Sequence, residues 1–232
     1  MKVIPKKSLG QNFLIDKKII KKICDYGDIN TNDHVLEIGP GTGNLSEFIL
    51  LNKPKKFYLI EKDKRLIDYL NEKLNNNVVI INDDILKYDL NNISNKNLII
   101  FGNLPYNISS QILIKFINYS TKKFLFKKLI FMFQKEVGEK IIARMGSSNY
   151  SRLSIITKSR LKILNFFYVS KNCFFPKPKV DSIVIEFQPI KRKDINFKSI
   201  KSLEYITNIF FSNRRKMIKK NYKKILGKKG IK

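Results

Sequence analysis

His34-Val-Leu-Glu-Ile-Gly39-Pro-Gly41-Thr-Gly43 is the stretch whose reading decides the fold. A short apolar run enters a turn carrying three alternate glycines, and the helical stretch Leu45 to Leu51 follows, closed off by Pro54. Strand, tight turn and helix form the opening unit of a parallel α/β sheet, and the glycines let backbone approach a ligand at a helix N-terminus. The spacing G-x-G-x-G departs from the dinucleotide fingerprint G-x-G-x-x-G, because position 44 is Asn. Taken alone, the turn reads equally as a ligand site or as a tight connection.

The same alternation extends outward from this unit. Upstream, Ile19, Ile20, Ile23 and Tyr26 fall at helical spacing behind Asp16, a residue suited to capping. Downstream come strand Phe57 to Ile60, helix Arg65 to Leu74, strand Val78 to Ile81, strand Leu98 to Phe101, helix Ser109 to Tyr119 and strand Leu129 to Phe133. Helix Lys135 to Met145, an amphipathic stretch over Arg152 to Lys158, and closing strands Ile163 to Val169 and Ser182 to Phe187 complete the pattern. Strands alternating with helices of about ten residues predict an α/β fold with a doubly wound, mostly parallel sheet.

Such sheets bind ligands beyond the carboxyl ends of their strands, so the residues there are the candidates for chemistry. Gly39 and Gly41 follow the first strand of the unit and Glu61 follows the second, where an acid grips a ribose diol; a solvated surface acid is the competing reading. Asp84 follows the third, either as an acceptor for an adenine amino group or as a helix cap. The fourth delivers Asn103-Leu104-Pro105-Tyr106. There the Asn103 side-chain oxygen and the Leu104 carbonyl are acceptors, Pro105 stiffens the loop, and Tyr106 offers a stacking face, which together suit a planar ring bearing an amine. An ordinary turn is the alternative for this tetrapeptide alone. The four strand ends taken together predict one crevice.

Composition narrows the partner. The 232 residues hold 46 Lys and Arg against 19 Asp and Glu, a net charge of +27, which predicts a polyanionic partner. From Ser212 to Lys232 there are ten basic residues and no acidic one, including Arg214, Arg215, Lys216, Lys219 and Lys220; this tail is read as an RNA contact, with a solvated tail as the alternative. No run of eighteen apolar residues and no secretory apolar core exist, so no membrane association is expected and the cytoplasm is the expected compartment. Cys24 and Cys173 lie far apart and His34 is the only histidine, so neither disulfides nor a metal are expected.

Five motifs in order carry a resemblance: Ser8-Leu-Gly-Gln-Asn12-Phe-Leu14, the Glu37 to Gly43 turn, Asn103 to Tyr106 with Asn107-Ile-Ser, Phe133-Gln-Lys-Glu-Val137, and Phe174-Phe-Pro-Lys-Pro-Lys-Val-Asp-Ser182. Over residues 6 to 220 the chain resembles the ribosomal RNA small-subunit adenine N6-dimethyltransferases, which have a Rossmann-like class I methyltransferase fold. The resemblance implies S-adenosylmethionine as cofactor, held by Asn12, Leu14, Gly39, Gly41, Glu61, Asp84 and Asn103. It implies that Asn103 and Leu104 accept the N6 hydrogens of the target, that Pro105 shapes the loop, and that Tyr106 and Phe174 sandwich the base, although the sequence leaves open whether Phe174 or Phe175 faces it. It implies transfer to two adjacent adenosines near the 3′ end of small-subunit RNA, with an assembly intermediate of the small ribosomal subunit as partner and a monomeric enzyme. Residues 1–190 are then the methyltransferase domain, and 191–232 a short basic helical segment in place of the larger C-terminal domain of family members. Two rivals share these features: a large-subunit RNA adenine methyltransferase of the macrolide-resistance type, and a non-catalytic ribosome-assembly factor.

Overall fold

The computed structural model describes residues 4–6, 9–74, 78–93, 98–120, 126–190 and 200–211. Its elements, in chain order, are β1 (Phe13–Leu14), α1 (Lys17–Gly27), β2 (His34–Ile38), α2 (Asn44–Leu51), β3 (Lys56–Glu61), α3 (Lys64–Lys73), β4 (Val78–Asn82), β5 (Leu98–Asn103), α4 (Ser109–Ser120), β6 (Phe126–Gln134), α5 (Lys135–Ile142), α6 (Arg152–Lys158), β7 (Leu161–Val169), β8 (Phe174–Phe175), β9 (Ser182–Pro189) and α7 (Ile200–Phe211).

Seven strands form one sheet in the order β4-β3-β2-β5-β6-β9-β7. The first five are parallel, and β9 runs antiparallel to both β6 and β7. The chain winds outward from β2 through β3 to β4, then returns to β5 on the other side of β2. That reversal places a topological switch point between β2 and β5. Register sets its floor: Ile38 pairs with both Ile60 and Gly102, so Gly39, Glu61 and Asn103 emerge side by side.

Both faces of the sheet are apolar because both are covered. Along β2, Val35 packs with Ile20, Ile23, Leu66 and Phe101 on one face. Leu36 and Ile38 turn to the other, with Ile100, Phe116, Phe131, Phe133 and Phe187. Asp16 caps α1, its Oδ1 accepting the N–H of Lys18 at 2.9 Å and of Ile19 at 3.1 Å. On α5, Gly138 is a packing requirement: a Cβ there would overlap the Ile183 side chain of β9.

The elements follow the sequence closely, and the main differences have physical reasons. Helix α5 stops at Ile142 rather than Met145, because Ala143 is already extended (φ −49°, ψ 135°) and the chain turns at Gly146 (φ 89°). Strand β6 begins three residues earlier, at Phe126, where it pairs with Leu98 before a bulge. The antiparallel pair β1 and β8, Phe13 opposite Phe175 and Leu14 opposite Phe174, is too short to show a period in sequence. Helix α7 lies against α6, where Arg152 Nη1 donates to Asn208 Oδ1 at 3.4 Å and Tyr150 meets Phe211 at 6.2 Å. Arg214, Arg215, Lys216, Lys219 and Lys220 lie outside the described residues.

Candidate active site

A cavity of about 260 Å³ opens over the switch point. Its wall is built from residues 9–14, the glycine turn, Glu61 and Lys62, Asp83 to Leu86, and Asn103 to Ile108. The four predicted strand ends therefore do converge on one crevice. Asn12, Leu14, Gly39, Gly41, Glu61, Asp84, Asn103, Leu104, Pro105 and Tyr106 all line it.

The glycine turn serves as connection and as wall at once. Gly39 (φ 64°) donates its N–H to the Ile60 carbonyl at 2.9 Å, yet a Cβ built on it would meet nothing within 4 Å. Its bare face looks into open space. Gly41 (φ 58°) is confined instead: a Cβ would come within 2.8 Å of the Phe13 ring. Its N–H donates to Glu61 Oε2 at 3.3 Å.

Glu61 is no solvated surface acid. It is 7% exposed, and its Oε1 accepts the Asp63 N–H at 2.9 Å. Burial pushes its carboxyl above the ordinary value, while the N–H groups of Asp63 and Gly41 pull the other way. Asp84 does cap a turn, Oδ1 accepting the Leu86 N–H, and Oδ2 takes Lys62 Nζ at 2.9 Å. Burial raises its pKa, but the Lys62 and Leu86 hydrogen bonds outweigh this and leave it below the ordinary value.

The Asn103 amide is oriented by the amino-terminal segment. Its Nδ2 donates to the Asn12 carbonyl at 2.9 Å, which leaves Oδ1 as the polar atom for a ligand. Ile108 N–H and Ser109 Oγ engage the Pro105 and Tyr106 carbonyls at 3.1 Å each, so the Leu104 carbonyl is the second acceptor of the loop. The Leu104 side chain is core, 2% exposed. Tyr106 is pinned at its far end, where its hydroxyl and Ser182 Oγ share a hydrogen bond of 2.7 Å.

The segment over residues 9–14 is itself tied down from two sides. Asn44 Nδ2 donates to the Leu14 carbonyl at 2.8 Å, and Asn12 Nδ2 to the Gly10 carbonyl at 3.2 Å. Gln11 Nε2 donates to Asp63 Oδ2 at 3.0 Å. The adjoining Arg65 guanidinium, 2.7 Å from the same oxygen, holds the Asp63 carboxyl down at about 2.

Phe174 lies beside the cavity rather than among its lining residues: it is 3% exposed and packs with Leu14, Val184 and Met132, because β8 turns this position inward where it pairs with β1. Phe175 faces outward and is 60% exposed. Conversely, Glu37, to which the sequence assigns no role, lines the cavity. It is 2% exposed, accepts the Ser46 hydroxyl at 2.6 Å, and is pushed by burial to a pKa of about 8. The available signal was a carboxylate inside an otherwise apolar strand, an arrangement that needs a partner or a proton.

A doubly wound sheet closed by an antiparallel strand pair, with a glycine turn after its first parallel strand and a buried acid after its second, defines a Rossmann-like class I methyltransferase fold. Residues 4–231 match the family model described as Ribosomal RNA adenine dimethylase, and the chain belongs to that family. It is 49% identical over 225 residues to Ribosomal RNA small subunit methyltransferase A of Pelagibacter ubique (strain HTCC1062), covering 97% of this chain and 85% of the relative. Among solved structures, a dimethyladenosine transferase from Plasmodium falciparum superposes with a TM-score of 0.78 at 34% identity, over 91% of this chain and 74% of that one. The 23S rRNA methyltransferase ErmE shares the fold, with a TM-score of 0.71 at 24% identity over 92% of this chain and 84% of that one.

Proposed function

We propose that this protein transfers methyl groups from S-adenosylmethionine to N6 of two adjacent adenosines near the 3′ end of small-subunit ribosomal RNA, forming N6,N6-dimethyladenosine. It acts as a monomer in the cytoplasm, on an assembly intermediate of the small ribosomal subunit. The observation that carries this reading is the Asn103 amide, whose nitrogen is held by the Asn12 carbonyl and whose oxygen is thereby presented as an acceptor beside the Leu104 carbonyl and the Tyr106 ring.

The residues present fit the cofactor. The bare face of Gly39 leaves room for a chain of atoms against the backbone, and the buried Glu61 carboxylate retains lone pairs for a ribose diol beyond the two N–H groups it accepts. Gly41, Asn12, Leu14 and Asp84 complete the holding wall. When bound, S-adenosylmethionine supplies an electrophilic methyl group on a sulfonium.

The protein's part is orientation. Adenine N6 is a poor nucleophile because its lone pair is delocalised into the ring. Asn103 Oδ1 and the Leu104 carbonyl accept its two hydrogens and favour a pyramidal nitrogen with the lone pair free. Tyr106, anchored through Ser182, stacks on the ring and keeps it from rotating. Orientation of this kind supplies up to roughly 7–11 kcal/mol of a barrier. Phe174, buried against Leu14, backs β1 beside the base site.

The test is transfer of labelled methyl to small subunits lacking adenine dimethylation, with large subunits and DNA alongside, followed by mass spectrometry of the nucleosides. The expected product is N6,N6-dimethyladenosine in small-subunit RNA alone. Label in large-subunit RNA would overturn the target, and cofactor binding without transfer would overturn the enzyme. Asn103→Ala should lower transfer by at least about 100-fold, the scale on which loss of one oriented transition-state hydrogen bond is felt, with RNA affinity retained; robust turnover in that variant refutes its role.

A further inference from the structure

Beyond the Tyr106 hydroxyl lies a second cavity, of about 380 Å³, that the reaction described above leaves unused. It opens between the β6–α5 junction, the turn before β8 and the approach to β9, and Lys135, Lys171 and Lys179 border it. Asp181 fixes the backbone of two of them and stands beside the third. Its carbonyl accepts the Lys135 N–H at 2.9 Å, its Oδ1 accepts the Lys171 N–H at 2.9 Å, and Lys179 precedes it by two positions.

None of these three ammonium groups makes an ion pair with a described residue. Among the carboxylates of the cavity, Glu136 is paired with Lys140 at 2.7 Å, which leaves Glu139 and Asp181, the latter accepting only a neutral backbone N–H, against three cations. Exposed rings stand beside Lys135. Tyr168 is 50% exposed, carries Lys135 Nζ at 5.5 Å from its centroid, and meets Phe166 edge-on at 6.2 Å. Cations beside open aromatic faces are what a single-stranded nucleic acid requires. An apolar protein segment seated there would strip the ammonium groups of water and give them no counter-charge.

The cavity is also tied to the reaction site through β9. Ser182, which anchors the Tyr106 hydroxyl at 2.7 Å, is the residue after Asp181 and pairs with Gln134 across β6 and β9. We propose that this cavity is a subsite for the nucleotides flanking the target adenosine: Lys135, Lys171 and Lys179 hold their phosphates, and Tyr168 offers a base its stacking face. The proposal rests on the RNA methyltransferase reading above.

The test compares Lys135→Gln/Lys171→Gln/Lys179→Gln with Lys53→Gln/Lys55→Gln/Lys56→Gln, which removes the same charge at the amino end of β3, in the opposite half of the sheet. The probe is small-subunit RNA lacking adenine dimethylation. Affinity is titrated over a range of salt without cofactor, and methyl transfer is measured separately. The cavity triple should weaken binding at least tenfold and lower the salt slope by about 2, from three single-strand phosphates at about 0.7 each. It should raise KM for RNA and keep kcat within twofold. Tyr168→Ala should cost about fivefold or more in affinity, with no further loss on RNA that is abasic beside the target. Equal behaviour of the two triples would overturn the subsite, as would a fall in kcat at unchanged KM. Because affinity is read without turnover, RNA that binds through these lysines but is never methylated counts against the enzyme and not against the subsite.

Discussion

Replacing Glu37 with Gln should change how the stability of the fold depends on pH. Glu37 sits inside β2, 2% exposed, with the Ser46 hydroxyl donating to Oε2 at 2.6 Å. Burial raises its carboxyl from 4.5 to about 8; the Ser46 hydrogen bond opposes the rise, and Glu61 adds to it. Between those two pH values the folded chain binds a proton that the unfolded chain has released, so stability is greatest below about 4.5 and is lost as pH climbs through about 8. At about 1.4 kcal/mol per pH unit, the span from 4.5 to about 8 amounts to roughly 5 kcal/mol. Gln keeps the volume and an acceptor for Ser46 but cannot ionise. Asp63, held at about 2, acts with the opposite sign and only in acid, so it is common to both chains and cancels. The assay is urea unfolding of wild type and Glu37→Gln at intervals from pH 5 to 9. The variant should gain on the wild type progressively over that range. A flat difference curve would mean that water reaches Glu37 in the folded protein, and the reasoning from burial would fail.

Gly138→Ala should destabilise the fold by about 1–3 kcal/mol in urea, because its Cβ has only the space filled by Ile183; an unmoved midpoint would show that α5 can lift from β9 at no cost. Ser182→Ala frees the Tyr106 hydroxyl and should lower kcat/KM for RNA about fivefold, at roughly 1 kcal/mol for one hydrogen bond, with cofactor affinity unchanged. Tyr106→Phe, which leaves the ring, should match it, and a fall in cofactor affinity would contradict the assignment. Removing residues 212–232 should weaken RNA binding and flatten its salt slope, with an unchanged slope ruling the tail out as a contact.

Where repeated periodicity exists, the sequence was readable. The turn from Gly39 to Gly43, the strand run from Leu98 and the helix behind Ser109 each combine an apolar period with a stop signal, and each stands within a few residues of its expected place. The cavity was legible for a related reason: in a doubly wound sheet, strand order alone brings Gly39, Glu61, Asp84 and Asn103 to one rim. What escaped depends on contacts remote in sequence. Two-residue strands have no period, so the inward turn of Phe174 follows only from its pairing opposite Leu14. The proton on Glu37 needs knowledge of what surrounds β2 on both faces. Likewise Asp181, which reads as one acid among lysines, gathers Lys135 and Lys171 only once β9 lies beside β6.

The pairing of β1 with β8 has a consequence for when the protein can first work. Phe13 and Leu14 leave the ribosome early, but the strand they need follows only at Phe174, and Ile15 likewise waits for the Cys173 carbonyl, to which its N–H donates at 2.9 Å. Until then the Asn12 carbonyl that orients Asn103 belongs to an arm held only by the side-chain hydrogen bonds of Asn44 and Asp63, without a strand partner. Contacts this distant along the chain form late. A nascent chain that has already completed its glycine turn and its four parallel strands β2 to β5 would thus hold the parts of a catalyst without their alignment, and activity would arrive in one step with the last quarter of the chain.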